Sequence, residues 1–207
     1  MCHSTGGMYV MDTFILVDLP NHKLRVPRVL ETSVAQCSIG QKTVVIPVRL
    51  ETEFSAHSNL VLVSPVTETI EFFEPHGLLY GLGEPGIDNP GIIERCIHTA
   101  FPFTRGYAFV NSANTCPLGL GAQAMQEQSL YATFSEPKGG LCLAWSLYIL
   151  AVYVLSDPSV TIADCHSFLV TTFGPDELEL LVRQFITFAT SVPARPTEYA
   201  HETVYTI

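Results

Sequence analysis

Charge is scarce in this chain, and positive charge most of all. Only 14% of the 207 residues are Asp, Glu, Lys or Arg, against roughly 25% in ordinary soluble proteins. Ten Lys and Arg stand against twenty Asp and Glu, a formal charge of −10. Without a basic stripe to neutralise phosphates, a general nucleic-acid binder is not expected, nor is a polybasic membrane anchor. A bilayer span takes about 20 apolar residues, and no run reaches that length. The nearest, LCLAWSLYILAVYVL over 141–155, stops at fifteen. Its length predicts a helix buried on all sides of a protein core. The six cysteines, at 2, 37, 96, 116, 142 and 165, form no CxxC pair and no dense array. That spacing points to reduced thiols and a cytoplasmic setting. The opening MCHSTGGMYVMDTF lacks the basic start and apolar run of a secretory signal. Repeats, linkers and low-complexity tracts are missing as well.

What is present suits a core. At 47% hydrophobic residues, disorder is excluded as the main state, and one domain over 1–207 is expected. TFILVDL (13–19), TVVIPVRLE (43–51), NLVLVSPV (59–66) and TIEFFEP (69–75) read as strands, rich in β-branched and aromatic residues. The last two read as neighbours joined by a turn near Thr67 and Glu68. Glycine and proline make 77–90 a loop, and GIIERCIHTAF (91–101) has helical spacing. Strand character returns at Tyr107–Val110. CPLGLGAQ reads as a turn-rich loop, and QAMQEQSLY as the start of a short helix or strand. Helices then follow over 141–155, 161–173 and 176–190. The tail after Val192 is Pro-punctuated and reads as loosely attached. The expected class is α+β, strands followed by helices.

Cys142 is the most informative residue. It follows Gly139-Gly140 at the start of the apolar helix. The unpaired first-turn N–H groups and the positive end of the macrodipole favour a thiolate there. A thiolate nucleophile needs a base, and the base needs an orienting group. His57 stands at the start of one apolar strand and Glu74 at the exit of the next, which an antiparallel hairpin would bring side by side. His76, two past Glu74, is the rival base. Trp145 and Tyr148 read as core aromatics. Neither Cys165-His166 nor Cys96 with His98 has the spacing of tetrahedral zinc ligands, so no metal or cofactor is expected. The glycines of GLLYGLGEPG lack the Lys and following helix of a P-loop.

AHSNLVLV, FEPHG and GGLCLAWSLYIL, in this order, resemble the adenovirus maturation protease (adenain) and SUMO-protease clan of cysteine peptidases. The pattern is closest to predicted peptidases of large DNA viruses, and the resemblance covers about residues 43–190. It implies a papain-like fold, with a mixed β-sheet packed on a central helix that carries the cysteine at its N-terminus. Carried over, Cys142 would be the nucleophile, His57 the general base and Glu74 its orienter. The clan also places a glutamine before the cysteine, its amide donating to the oxyanion. In the viral relatives it lies in a Cys-Pro, Gly, Gln loop, which here runs from Cys116-Pro117 to Gln123. Gln123 is the choice, with Gln126 and Gln128 as competitors.

The resemblance further implies hydrolysis of peptide or isopeptide bonds, with ubiquitin, a ubiquitin-like modifier or a viral precursor protein as substrate. No nucleic acid or membrane is implied as a partner, and the host cytoplasm or a virion is the expected location. Two alternatives share the layout. One is a coenzyme-A-dependent acetyltransferase of the same clan; its inositol-phosphate cofactor would need a basic cluster that ten scattered Lys and Arg do not supply. The other is a non-catalytic virion or adaptor protein with the same fold.

Overall fold

The computed structural model of the chain describes residues 2–5, 8–11, 13–53, 56–77, 89–111, 121–130, 141–157, 160–191 and 202–207. The architecture is α+β: a mixed sheet with helices. Two compact units divide it, one of Met1–Phe72, Gly81–Asn111 and Thr197–Ile207, the other of Phe73–Tyr80 and Ser112–Pro196.

The first unit is built on the sheet. Its strands are β1 (Cys2–Thr5), β2 (Met8–Met11), β3 (Ile15–Asp18), β4 (Lys23–Pro27), β5 (Thr43–Glu51), β6 (Ala56–Ser64), β7 (Thr69–Phe73), β8 (Ala108–Asn111) and β9 (Glu202–Thr206). The order is β8-β7-β6-β5-β3-β4-β9, with β2 also on β5 and β1 on β2. β5 runs antiparallel to β6, and along its other edge it takes two parallel partners in turn. Met8–Val10 of β2 pair with its start and Ile15–Asp18 of β3 with its end. Pro47 falls in the gap between them, after Val45 and before Val48. An interrupted ladder is where a strand tolerates a residue with no N–H.

Side chains alternate across a strand. Val44, Ile46, Val48 and Leu50 of β5, Val61 and Val63 of β6, and Ile70 and Phe72 of β7 therefore share one core. Two helices close that core. α1 (Arg28–Ile39) contributes Leu30, Val34 and Cys37, and α2 (Asn89–Ala100) contributes Ile93, Cys96, Ile97 and Ala100. The alternate residues Val45, Leu60 and Leu62 are buried too, so β5 and β6 read as continuous apolar runs.

The second unit is helical. α3 (Ala122–Gln126) is short; α4 (Leu141–Leu155), α5 (Ile162–Thr172) and α6 (Pro175–Ser191) are full helices. α5 opens with a capping box: the Thr161 hydroxyl accepts the Asp164 N–H at 3.1 Å, and Asp164 accepts the Thr161 N–H at 2.8 Å. The Thr161 hydroxyl also donates to the Asp164 carboxylate at 2.7 Å, and that bond together with the Thr161 N–H holds the Asp164 carboxyl below its ordinary pKa. α6 opens with Pro175, then Asp176 and Glu177, and the Glu177 carboxylate accepts the Gly174 N–H at 2.8 Å.

Three expectations are corrected. α4 is not buried on all sides: Cys142, Trp145, Ser146, Ile149 and Leu150 are buried, while Leu143 and Leu155 are exposed. The buried set is one stripe at i, i+3, i+4, i+7, i+8. A helix apolar on every face carries no pattern to say how many faces are covered. Helices do not simply follow strands either: α1 lies among the strands, and β9 comes after α6. The tail is also not wholly loose: β9 pairs in antiparallel register with β4, Leu24 opposite Tyr205. The Tyr205 hydroxyl adds a 2.7 Å bond to Glu31. That bond, burial and the carboxylate's charge push the phenol up to about 12. No helix among the described residues is long and apolar enough to cross a membrane.

Candidate active site

His57 belongs to the first unit. It is the second residue of β6, pairs with Leu50 of β5 and is buried. β6 and β7 are neighbours in the sheet, joined by a turn over 65–68 that includes Glu68 at a φ of 51°. Asn59, two residues along β6, is buried with neither end of its amide hydrogen-bonded among the described residues.

Phe73 is the first residue of the second unit. Glu74, Pro75, His76 and Gly77 form a turn closed by the Gly77 N–H on the Glu74 carbonyl at 3.2 Å. Proline at the second position and glycine at the last suit such a turn; Gly77 takes a φ of +86°. The turn also aims the buried Glu74 side chain, whose Oε1 accepts the His76 N–H at 2.9 Å.

The turn is stitched to the start of α3. Gly121 N–H donates to the His76 carbonyl at 2.7 Å, and Gln123 N–H donates to the Pro75 carbonyl at 3.1 Å. The approach is so close that a Cβ at Gly121 would lie 2.1 Å from the Pro75 oxygen. The segments bearing Glu74 and Gln123 are thus locked together through their backbones.

α3 has five residues, too short to persist alone, and polar side chains of neighbouring helices pin it. At its start, Ala122 N–H donates to Nε2 of His166 on α5 at 2.9 Å. That ring is 1% exposed and packs edge-on against Phe73, with centroids 5.0 Å apart. Burial pushes its pKa down to about 4. The neutral tautomer then carries its proton on Nδ1, since Nε2 is the acceptor. In the middle of α3, Gln126 donates through Nε2 to Glu179 of α6 and accepts Trp145 Nε1–H of α4 at 3.3 Å. Glu179 is closed from the other side by Arg183. Just past the helix, Ser129 Oγ lies 2.6 Å from Asp176.

These contacts separate the three glutamines. Gln126 is buried with both ends of its amide engaged, Gln128 is exposed, and Gln123 is buried with Oε1 unpartnered among the described residues. Gln123 Nε2 donates to Glu127 Oε1 at 3.1 Å. The same carboxylate oxygen lies 3.0 Å from His76 Nε2, while His76 Nδ1 lies 3.9 Å from Glu74 Oε1. Cys142 is the second residue of α4 and is 6% exposed. Its amide belongs to the first turn, where N–H groups have no intrahelical acceptor. Gly139-Gly140, the loop 78–88 and Cys116–Leu120 lie outside the described residues.

Trp145 is fully buried, edge-on to Tyr148, which meets Phe185 in the same way. In the first unit, Cys96 is buried and its thiol pushed up to about 12 by that burial, while His98 Nδ1 lies 2.9 Å from Thr104 Oγ1. Cys165 lies 3.7 Å from the Ser156 hydroxyl, and burial raises its pKa as well. Sequence reasoning did not single out Glu127, Glu179 or His166 as site-building residues. The Gln123–Glu127 spacing of four on a helix was the readable signal; the other two face α3 only through tertiary packing. No protein-family model, no curated protein and no solved structure matches the chain.

Proposed function

We propose that this chain is a cysteine peptidase with a papain-like fold of the adenain and SUMO-protease type. Its reaction is hydrolysis of a peptide or isopeptide bond in ubiquitin, a ubiquitin-like modifier or a viral precursor protein. The observation that carries the reading is the pair of backbone bonds joining the Glu74 turn to the Gln123 helix start. The unit that holds both also offers a buried cysteine in the first turn of α4. Acid, amide and thiol are the parts that acyl transfer needs besides a base.

In this mechanism His57 takes the proton from Cys142 Sγ, and Glu74 orients the imidazole and stabilises its charged form. The thiolate attacks the scissile carbonyl carbon, and the π pair moves to oxygen. Gln123 and the Cys142 N–H stabilise that oxyanion. The imidazolium protonates the leaving amine as the C–N bond breaks, leaving a thioester. A water, deprotonated by His57, then releases the acid and restores the thiol.

The test is adduct formation with ubiquitin and SUMO carrying C-terminal electrophilic warheads, read as a mass shift. Loss of the adduct in Cys142→Ala, and its strong reduction in His57→Ala but not in His76→Ala, supports the assignment. The reverse histidine pattern makes His76 the base. If no modifier reacts while iodoacetamide still labels Cys142 selectively at neutral pH, precursor processing is the remaining substrate class. No selective labelling sinks the catalytic reading in favour of the adaptor. Acetyl transfer from coenzyme A in place of hydrolysis would establish the acetyltransferase.

A further inference from the structure

We infer that Glu127 is a positioning residue: by accepting one amide hydrogen of Gln123, its carboxylate decides which end of that amide faces the substrate carbonyl. The inference rests on the peptidase reading above. An amide offers a donor and an acceptor end of nearly the same shape, and only its partners distinguish the two orientations. Among the described residues the Gln123 oxygen has no partner and so does not choose. The nitrogen does, through its 3.1 Å bond to Glu127 Oε1.

Turning the amide over would bring two oxygens together and lose that bond. Glu127 therefore holds the nitrogen in place, and the second N–H hydrogen remains for an oxyanion. The carboxylate is itself anchored, since the same Oε1 meets His76 Nε2 at 3.0 Å. That contact ties the amide to the turn bearing Glu74. The Glu127 side chain is 44% exposed, so its contribution to stability is small. A substitution there tests positioning without threatening the fold.

Two Cys142 reactions separate oxyanion stabilisation from thiol reactivity. Addition of the thiolate to acetyl-Leu-Gly-Gly-aldehyde forms a C–S bond and moves the carbonyl pair onto oxygen, which then takes a proton from the imidazolium. Alkylation by iodoacetamide forms a C–S bond and expels iodide, with no oxyanion. Deleting an oxyanion donor outright costs about 10²–10³ in rate. A misdirected donor costs less, so Glu127→Ala is expected to weaken aldehyde binding about tenfold while alkylation stays within about twofold.

Glu127→Gln keeps an acceptor oxygen and is expected to recover most of the loss. If Glu127→Ala changes neither reaction, or slows both equally, the positioning role is overturned and the peptidase reading stands. If the wild-type protein alkylates at Cys142 but forms no aldehyde adduct, no oxyanion is stabilised beside Gln123 and this inference falls, while precursor processing remains as the peptidase reading.

Discussion

Replacing Gly121 by Ala puts the joint between the Glu74 turn and α3 under a direct load. The new Cβ would lie 2.1 Å from the Pro75 oxygen, 2.4 Å from the His76 carbonyl carbon and 2.6 Å from the Gly77 nitrogen. All three atoms are backbone, so no rotamer change relieves the overlap, and the two segments must part by about an ångström to reach van der Waals contact. That movement breaks or stretches two backbone bonds, Gly121 to His76 at 2.7 Å and Gln123 to Pro75 at 3.1 Å. Each is worth about 0.5–1.5 kcal/mol net, and overpacking adds about 1–3 kcal/mol. The sum is about 2–6 kcal/mol. At about 2–4 °C per kcal/mol for a chain of this size, the thermal midpoint drops by at least about 4 °C. Differential scanning calorimetry measures it, with Gly174→Ala as the control. There the nearest side-chain atom would be 3.8 Å away, and a change under about 1 kcal/mol is expected. If Gly121→Ala melts with the wild-type protein, the close approach does not hold the site together. Warhead adduct formation should fall further than stability does, because the same shift separates Glu74 from Gln123.

Three further outcomes follow from buried groups. His166 has its pKa lowered to about 4 by burial, against an ordinary value near 6.5. The unfolded chain therefore binds more protons in between. The stability conferred by the neutral ring is complete above pH 6.5 and is lost as pH falls towards 4, on the order of 3 kcal/mol in all. Urea melts across that range measure it, and in His166→Phe the pH dependence should flatten while stability at pH 7 drops by about 1–3 kcal/mol for the orphaned Ala122 N–H. Trp145→Phe removes the donor to Gln126 and leaves a gap in the core. A loss of about 2–4 kcal/mol is expected in urea melts followed by circular dichroism, and an unchanged midpoint would discard the network. Asn59 buries an amide with both ends unpartnered, so Asn59→Leu should raise stability by about 1–3 kcal/mol. A lowered melting temperature would refute that.

Sequence patterns carried far in the elements with strong periodicity or punctuation. The strand over 43–51 and the helix over 141–155 were read with the boundaries they have in the structure. The helix over 161–173 differs by a residue at each end, because a Thr-x-x-Asp capping box marks its start. Where periodicity was weak, reading stopped. α1 carries RVLETSVAQCSI, whose mixed pattern gave no helical signal, and β9 is an exposed strand defined only by its pairing with β4. At the candidate site, Cys142, His57 and Glu74 could be named from local motifs, since each lies beside turn formers or at the end of an apolar run, whereas Gln123 came from the family resemblance alone.

The sequence by itself thus determined the α+β class, the apolar run that starts at His57 and the one that ends at Glu74, and a cysteine in the first turn of an apolar helix. Those are local consequences of side-chain shape, alternation and capping. The tertiary structure alone decided which glutamine is spent on structure: Gln126 answers to Glu179 and Trp145, far away in sequence, while Gln123 keeps a free oxygen. It also decided that α4 buries one stripe of an all-apolar surface, and that Gly121 must be glycine. Hydrogen bonding and excluded volume act between atoms brought close by the fold, and no local pattern in the chain encodes which atoms those will be.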